Sequence, residues 1–270
     1  MITKHFSTSK TLMRQDQRKR VQAEHRRRKY YRFRAKPMRL VLPLAILFIA
    51  LSSCVNDFTI QTSVSPESWQ EEFNLANREL SYTGEAMYFN LTPGFQITLE
   101  SQTEKLVISV LEETREIGGI TTRVVEEREH KGEELYEVSR NFYAIDAETG
   151  DAFYFGEEVD FYTQGQISGH AGAWIAYQEG NQPGLIMPGT PIVGMKYYQE
   201  LAPDVAMDRA RVVSVTEIFT TAVGEFENCL LTQESSQINP IAIEYKTYCP
   251  GIGLVQDQSL LLTGFGYSQP

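Results

Sequence analysis

Outside its first 53 residues the chain offers three cysteines, Cys54, Cys229 and Cys249, and two histidines, His130 and His170. Cys229 falls in the run Phe226 to Glu234 and Cys249 directly follows the run Ile241 to Tyr248, and the two runs read as strands turning around Asn239-Pro240. A register that sets the two cysteines opposite each other brings them to about 4.5–5.5 Å, within reach of a disulfide. The same register sets Glu234 against Glu244, a repulsive pair, so two separated thiols stay open as the alternative. His130 and His170 form no two-ligand spacing such as HxH or HExxH, and His130 reads as a solvated residue at a hairpin tip. The acidic runs Glu126-Glu127-Glu129, Glu157-Glu158-Asp160 and Asp146 to Asp151 lack the spacing of a calcium loop and read as a solvated face. No nucleophile elbow, phosphate loop or dinucleotide fingerprint occurs. No catalytic residue, metal site or cofactor is therefore expected. The rival reading is a hydrolase whose site gathers dispersed residues such as Glu157, Asp160 and His170.

Cys54 has a different context. Arg39 precedes twelve residues, Leu40 to Leu51, that are apolar apart from Pro43, and Ser52-Ser53 lead into the cysteine. A membrane-spanning helix needs about 20 apolar residues. Twelve suits the apolar region of an export signal, with small residues where a peptidase cuts. Leu51-Ser52-Ser53-Cys54 resembles a bacterial lipobox, which implies a diacylglyceryl group on Cys54, cleavage before it and acylation of the new amino terminus. Several acyl chains anchor durably where one holds marginally, at about 0.8 kcal/mol per buried methylene. Residues 38–53 are thus expected to be a lipoprotein signal peptide, the alternative being a plain membrane anchor. Val55, rather than Asp, follows the cysteine, which by analogy with enterobacterial sorting favours the outer membrane.

Charge divides at the same point. Of 25 Lys and Arg and 35 Asp and Glu, 14 and two lie in residues 1–53, which leaves 11 basic and 33 acidic residues, a net of about −22. A domain this acidic excludes nucleic acid as a partner. The basic and aromatic stretch from Arg18 to Arg34 lies upstream of the signal. Residues 1–37 read as a long cytoplasmic leader or, preferred here, as a start assigned too early, with Met38 as the true beginning. A twin-arginine reading of Arg27-Arg28 is weak, because charged residues intervene before the apolar run.

The elements that must position these side chains are mostly strands. Residues 54–84 read as a tether and one short helix, with Ser65 as N-cap, Pro66 at the first turn, and Trp69, Phe73, Ala76 and Leu80 at helical spacing. Residues 85–270 read as a single β domain of short runs rich in Val, Ile, Thr, Tyr and Phe. Strands are expected at Phe95–Glu100, Leu106–Glu113, Thr121–Glu129, Leu135–Ile145, Ala152–Phe155 and Trp174–Tyr177. More follow at Met195–Glu200, Ala210–Thr220, Phe226–Glu234, Ile241–Tyr248 and Leu254–Leu262. Hairpins are expected at His130–Glu133 and Asp146–Asp151. In one strand Tyr136, Val138, Arg140, Phe142 and Ala144 share a face, and Glu137, Ser139 and Asn141 the other. The fold class is mainly β, an antiparallel meander forming a curved sheet or open barrel.

Gly165 to Gly194 differs, with seven glycines and Pro183, Pro188 and Pro191. Leu185, Ile186 and Met187 lie exposed between these breakers and form a candidate ligand loop, a flap over the sheet; an ordinary packed crossover is the alternative. Asn90-Leu91-Thr92 fits a glycosylation sequon, with no role after a bacterial lipobox.

Gln182 to Pro188, Tyr198-Gln199-Glu200, Ala206-Met207-Asp208, Gly224-Glu225-Phe226 and Glu244 to Val255 resemble an uncharacterised family of secreted bacterial β-proteins and lipoproteins, over most of Tyr88 to Gln258. Its last motif runs from a tyrosine-rich strand through Pro-Gly to Gly-Leu-Val. This chain departs from it by placing Cys249 where alanine is usual. The resemblance implies no activity. Mechanically, Gly251 and Gly253 permit a tight turn between two strands.

Together these features point to a lipid-anchored protein of the cell envelope. Its non-catalytic β-sheet is expected to bind an apolar small molecule or an envelope protein through aromatic side chains.

Overall fold

The structure, a computed structural model, describes residues 68–267. The expected leader, the expected export signal with Cys54, the expected spacer and Ser65-Pro66 lie outside the described residues. Seventeen strands run β1 (Leu80–Ser81), β2 (Glu85–Ala86), β3 (Phe89–Asn90), β4 (Phe95–Glu100), β5 (Glu104–Ile117) and β6 (Ile120–Lys131). Then come β7 (Glu134–Asp146), β8 (Ala152–Thr163), β9 (Gln166–Gly169), β10 (Trp174–Ile175), β11 (Gly184–Met187) and β12 (Lys196–Tyr198). The last are β13 (Asp208–Thr221), β14 (Gly224–Ser236), β15 (Ile243–Cys249), β16 (Gly253–Asp257) and β17 (Leu260–Tyr267).

Fifteen of them form one sheet in the order β10-β8-β7-β6-β5-β4-β17-β16-β15-β14-β13-β12, with β1, β9 and β11 also on β7 and β8. It is an antiparallel meander made of two halves, β4 to β8 and β13 to β17, stitched where β17 pairs with β4. Each half has turn residues between strands, as expected, although β8 runs on to Thr163 beyond the expected Ala152–Phe155. In β4, Phe95, Ile97 and Leu99 are buried while Gln96 is exposed. The sheet does not close as a barrel. Its ends approach through β11, which pairs with β8 while Gln182 N–H donates to Leu201 O at 2.8 Å. Gly184 makes this approach possible, because a Cβ there would fall on the main-chain carbonyl of Gln199. No helix among the described residues is long and apolar enough to cross a membrane.

The expected helix over Trp69 to Leu80 is corrected. Only a 3₁₀ turn, Leu75–Asn77, stands there, entered from Asn74 at φ 50°. Its apolar residues are held singly by different parts of the sheet rather than on one stripe. Trp69 lies 6.1 Å from Tyr198 between ring centres, and Phe73 lies 5.9 Å from Phe153. The backbone of Gln70 is taken by the edge strand: its N–H donates to Lys196 O at 2.9 Å and its carbonyl accepts from Tyr198 at 3.0 Å. Tertiary pairing thus overrides helical spacing. Leu80–Ser81 then pairs with Ile145 and Asp146, so the chain is part of the sheet well before residue 85.

A second correction concerns Leu254–Leu262, expected as one strand. It is two, β16 and β17, turning at Gln258-Ser259, where Gln258 has φ 54°. The tight turn expected before it stands as read, with Gly251 at φ 74° and Gly253 at φ 97°.

Candidate functional site, a carboxylate- and tyrosine-lined cavity

The concave side of the sheet encloses a cavity of about 440 Å³. Its apolar wall comes from Ile97 on β4, Leu106, Ile108 and Val110 on β5, and Val125 on β6. Register puts these together: Ile97 faces Ile108 and Leu99 faces Leu106, and Val110 faces Val125. Directly paired residues project to the same side. On β7 the partners of Val125, Glu127 and Glu129 are Asn141, Ser139 and Glu137. The set that looks polar in the sequence is therefore the concave one. Glu137 is 2%, Ser139 3% and Asn141 0% exposed.

At one end four aromatic rings follow one another. Phe89 lies edge-on to Tyr143 at 5.1 Å, Tyr143 is 4.7 Å from Tyr154, and Trp174 is edge-on to Tyr154 at 5.3 Å. The Tyr154 hydroxyl donates to Asn141 Oδ1. Asn141 Nδ2 in turn donates to Ser139 Oγ at 3.2 Å. Burial, and then the negative charge of Glu127, Glu157 and Glu200, pushes both phenols well above the ordinary tyrosine range. Trp174 reaches Tyr154 because β10 lies against β8, its carbonyl over Gly156, where no Cβ fits.

At the other end stands one lysine among carboxylates. Lys246 Nζ is 3.2 Å from Glu234 Oε2 and 3.6 Å from Asp257 Oδ2, with side chains 12%, 11% and 20% exposed. Glu234 Oε1 accepts from Thr232 Oγ1 at 3.0 Å, Tyr248 Oη at 3.2 Å and Gln199 Nε2 at 3.3 Å. Burial opposes the charge on Lys246, but Asp257 and Glu234 outweigh it and hold the ammonium well above the ordinary lysine range.

The residues singled out from sequence are placed as follows. Cys229 and Cys249 are brought together as a disulfide-bonded pair, with Cα atoms 4.2 Å apart and both side chains buried. The register is the expected one, with Leu230 opposite Tyr248 and Glu234 opposite Glu244.

Asp160 and His170 also meet, at 2.8 Å, but on the outside, with side chains 40% and 66% exposed. Glu157 does not join them. It is three residues from Asp160 on the same strand, so it faces the other way, and it is 1% exposed. The trio is not one site.

His130 is corrected from a solvated hairpin tip to a strand residue of β6. It is half-buried on the cavity wall, its Nδ1 without a hydrogen-bond partner. The acidic runs are likewise not one solvated face: Glu127 and Glu129 line the cavity, and Asp146 is buried against Arg78.

Leu185, Ile186 and Met187 form β11 rather than an exposed flap. Leu185 and Met187 are 2% and 1% exposed, and Ile186 alone lines the cavity. Among the described residues no group of three or more His, Cys, Asp or Glu is arranged to hold a metal ion.

Tyr143, Tyr154, Glu200 and Lys246 were not singled out in the sequence. For Tyr143 and Lys246 the one signal is the polar member of an alternating strand, which on a solvated sheet faces water and here faces a cavity; Glu200 follows β12 outside any strand. No family model, curated protein or solved structure matches this chain.

Proposed function

We propose that the protein is a non-catalytic binding protein of the bacterial cell envelope. It is held by lipid on Cys54, with the outer membrane favoured, and takes an apolar small molecule into the concave side of its sheet. The observation that carries this reading is the cavity of about 440 Å³ with its wall of Ile97, Leu106, Ile108 and Val110. That size lies in the range of small-molecule sites, about 300–1,000 Å³, which typically combine apolar walls with a few placed polar groups. Aromatic side chains add large contact area. An envelope protein as partner is the other form of this reading, and the acidic, concave wall favours it less than a small molecule.

Native mass spectrometry of the protein taken from its own host envelope tests the reading. The expected result is a co-purified small molecule lost on denaturation. Protein that carries neither small molecule nor partner, and that leaves an apolar fluorescent probe unbound, overturns it.

A further inference from the structure

The chemistry of the cavity wall goes further than its apolar character. Eight carboxylates line it, against Lys105, Lys246 and His130. Both lysines are already engaged: Lys105 with Glu100 at 3.0 Å, and Lys246 with Glu234 and Asp257. By formal charge the wall therefore holds more acidic than basic groups, in a partly dehydrated space where like charges repel most. A ligand that brings an anion adds to this repulsion, a neutral one leaves it unchanged, and a cation relieves it.

A second observation places the relief at one end. Tyr143 and Tyr154 line the cavity beside Glu127 and Glu200, and both phenols respond to those carboxylates. Aromatic rings attract cations through their quadrupole, by about 0.5–2 kcal/mol. Tyrosines next to carboxylates, with an aliphatic wall of Leu106, Ile108 and Val110 nearby, match a molecule with a positive head and an apolar body.

We propose that the ligand of this cavity is a cationic amphiphile, an organic ammonium with an apolar chain or ring. Its ammonium lies among Glu127, Glu200, Tyr143 and Tyr154, and its apolar body lies along the β4–β5 wall. This inference rests on the small-molecule reading above and names the ligand class.

Titration calorimetry of the full chain with octylammonium, octanol and octanoate, each against a protein-free blank, tests it, because the three share a tail and differ in head charge. Octylammonium is expected to bind at least about tenfold more tightly than octanol, with octanoate weakest. Glu127→Gln and Glu200→Gln, each verified as folded by circular dichroism, are expected to lose most of that preference while keeping octanol affinity. Octanol or octanoate binding as tightly as octylammonium overturns the cationic class and leaves the apolar-cavity reading standing. Octylammonium affinity unchanged in both folded variants also overturns it, since the cation then sits elsewhere. Binding of none of the three overturns this inference and the small-molecule reading together.

Discussion

Glu234 and Glu244 stand directly opposite each other on β14 and β15, each 8% exposed. Two carboxylates so placed repel, and the arrangement persists because Lys246, two residues along β15 on the same face, reaches Glu234 at 3.2 Å. Lys246 thereby neutralises part of the wall it stands in.

Lys246→Met tests that relationship. Removing one partner of a buried pair leaves uncompensated charge, so the variant is expected to lose roughly 3 kcal/mol in denaturant unfolding. Adding Glu234→Gln is expected to recover part of the loss. A single variant as stable as the parent would show that the ammonium does not balance these acids.

The buried phenols set an alkaline limit. Burial raises Tyr143, Tyr154, Tyr197 and Tyr248 above their ordinary range. For Lys246 burial pulls downward, and Asp257 and Glu234 raise it above its own range. Groups whose folded pKa exceeds the unfolded value stabilise fully below the unfolded one, about pH 10 for tyrosine and 10.4 for lysine. Their contribution is lost as pH rises through the folded values. Stability is expected to fall steeply above about pH 10, with phenolate absorbance from these rings appearing only on unfolding. Phenolate growth in all tyrosines while the fold is intact would contradict this.

Arg78 fastens the amino-terminal segment to the β7–β8 turn, with Nη1 2.7 Å from Asp146 and 2.9 Å from Asp151. Burial opposes charge on Asp146, but hydrogen bonds from Arg78 and from the Glu148 and Thr149 amides lower its pKa below the ordinary range. That contribution is present above the unfolded value, about pH 3.9, and is lost as pH falls through the lower folded one. Arg78→Ala is expected to cost about 2 kcal/mol at neutral pH and to flatten this acid limb. Equal stability of variant and parent from neutral to acid pH would remove the clamp from the account.

Cys229 and Cys249 close a loop of sequence separation 20. Thiol titration of the unreduced, unfolded protein is expected to find neither as a free thiol, and Cys229→Ala with Cys249→Ala to cost about 3 kcal/mol. Two free thiols would rule the bridge out.

Cys54→Ser is expected to abolish acyl labelling and leave the chain unprocessed. Labelling and processing that continue unchanged would sink the lipid anchor and, with it, the tethered part of the proposed function.

Much of the fold is local enough to read from the chain. Phe95–Glu100 is a strand with the bounds its residues suggest, and the β14–β15 register follows from the cysteines and the Asn239-Pro240 turn. Where the reading fails, a distant partner decides. The helical spacing of Trp69, Phe73 and Leu80 yields to the backbone of Lys196 and Tyr198. Leu185 and Met187, set between prolines and glycines, are buried because β8 offers them an edge to pair with.

By itself the sequence determines the period-two pattern, the turns and the antiparallel pairing of neighbours, because each depends on residues close along the chain; it offers the opposition of Cys229 to Cys249 as one of two readings, and the β14–β15 register decides it. It also sets an acidic stretch, from residue 54 on, behind a basic one. Which face of each strand is concave, and hence whether Glu137, Ser139 and Asn141 meet water or are buried, is decided only by the tertiary structure. Alternation has the same period on either face, and the direction in which the sheet curls comes from contacts such as Gln182 with Leu201 and β17 with β4. The same curl brings Glu127 and Glu200 beside Tyr143 and Tyr154.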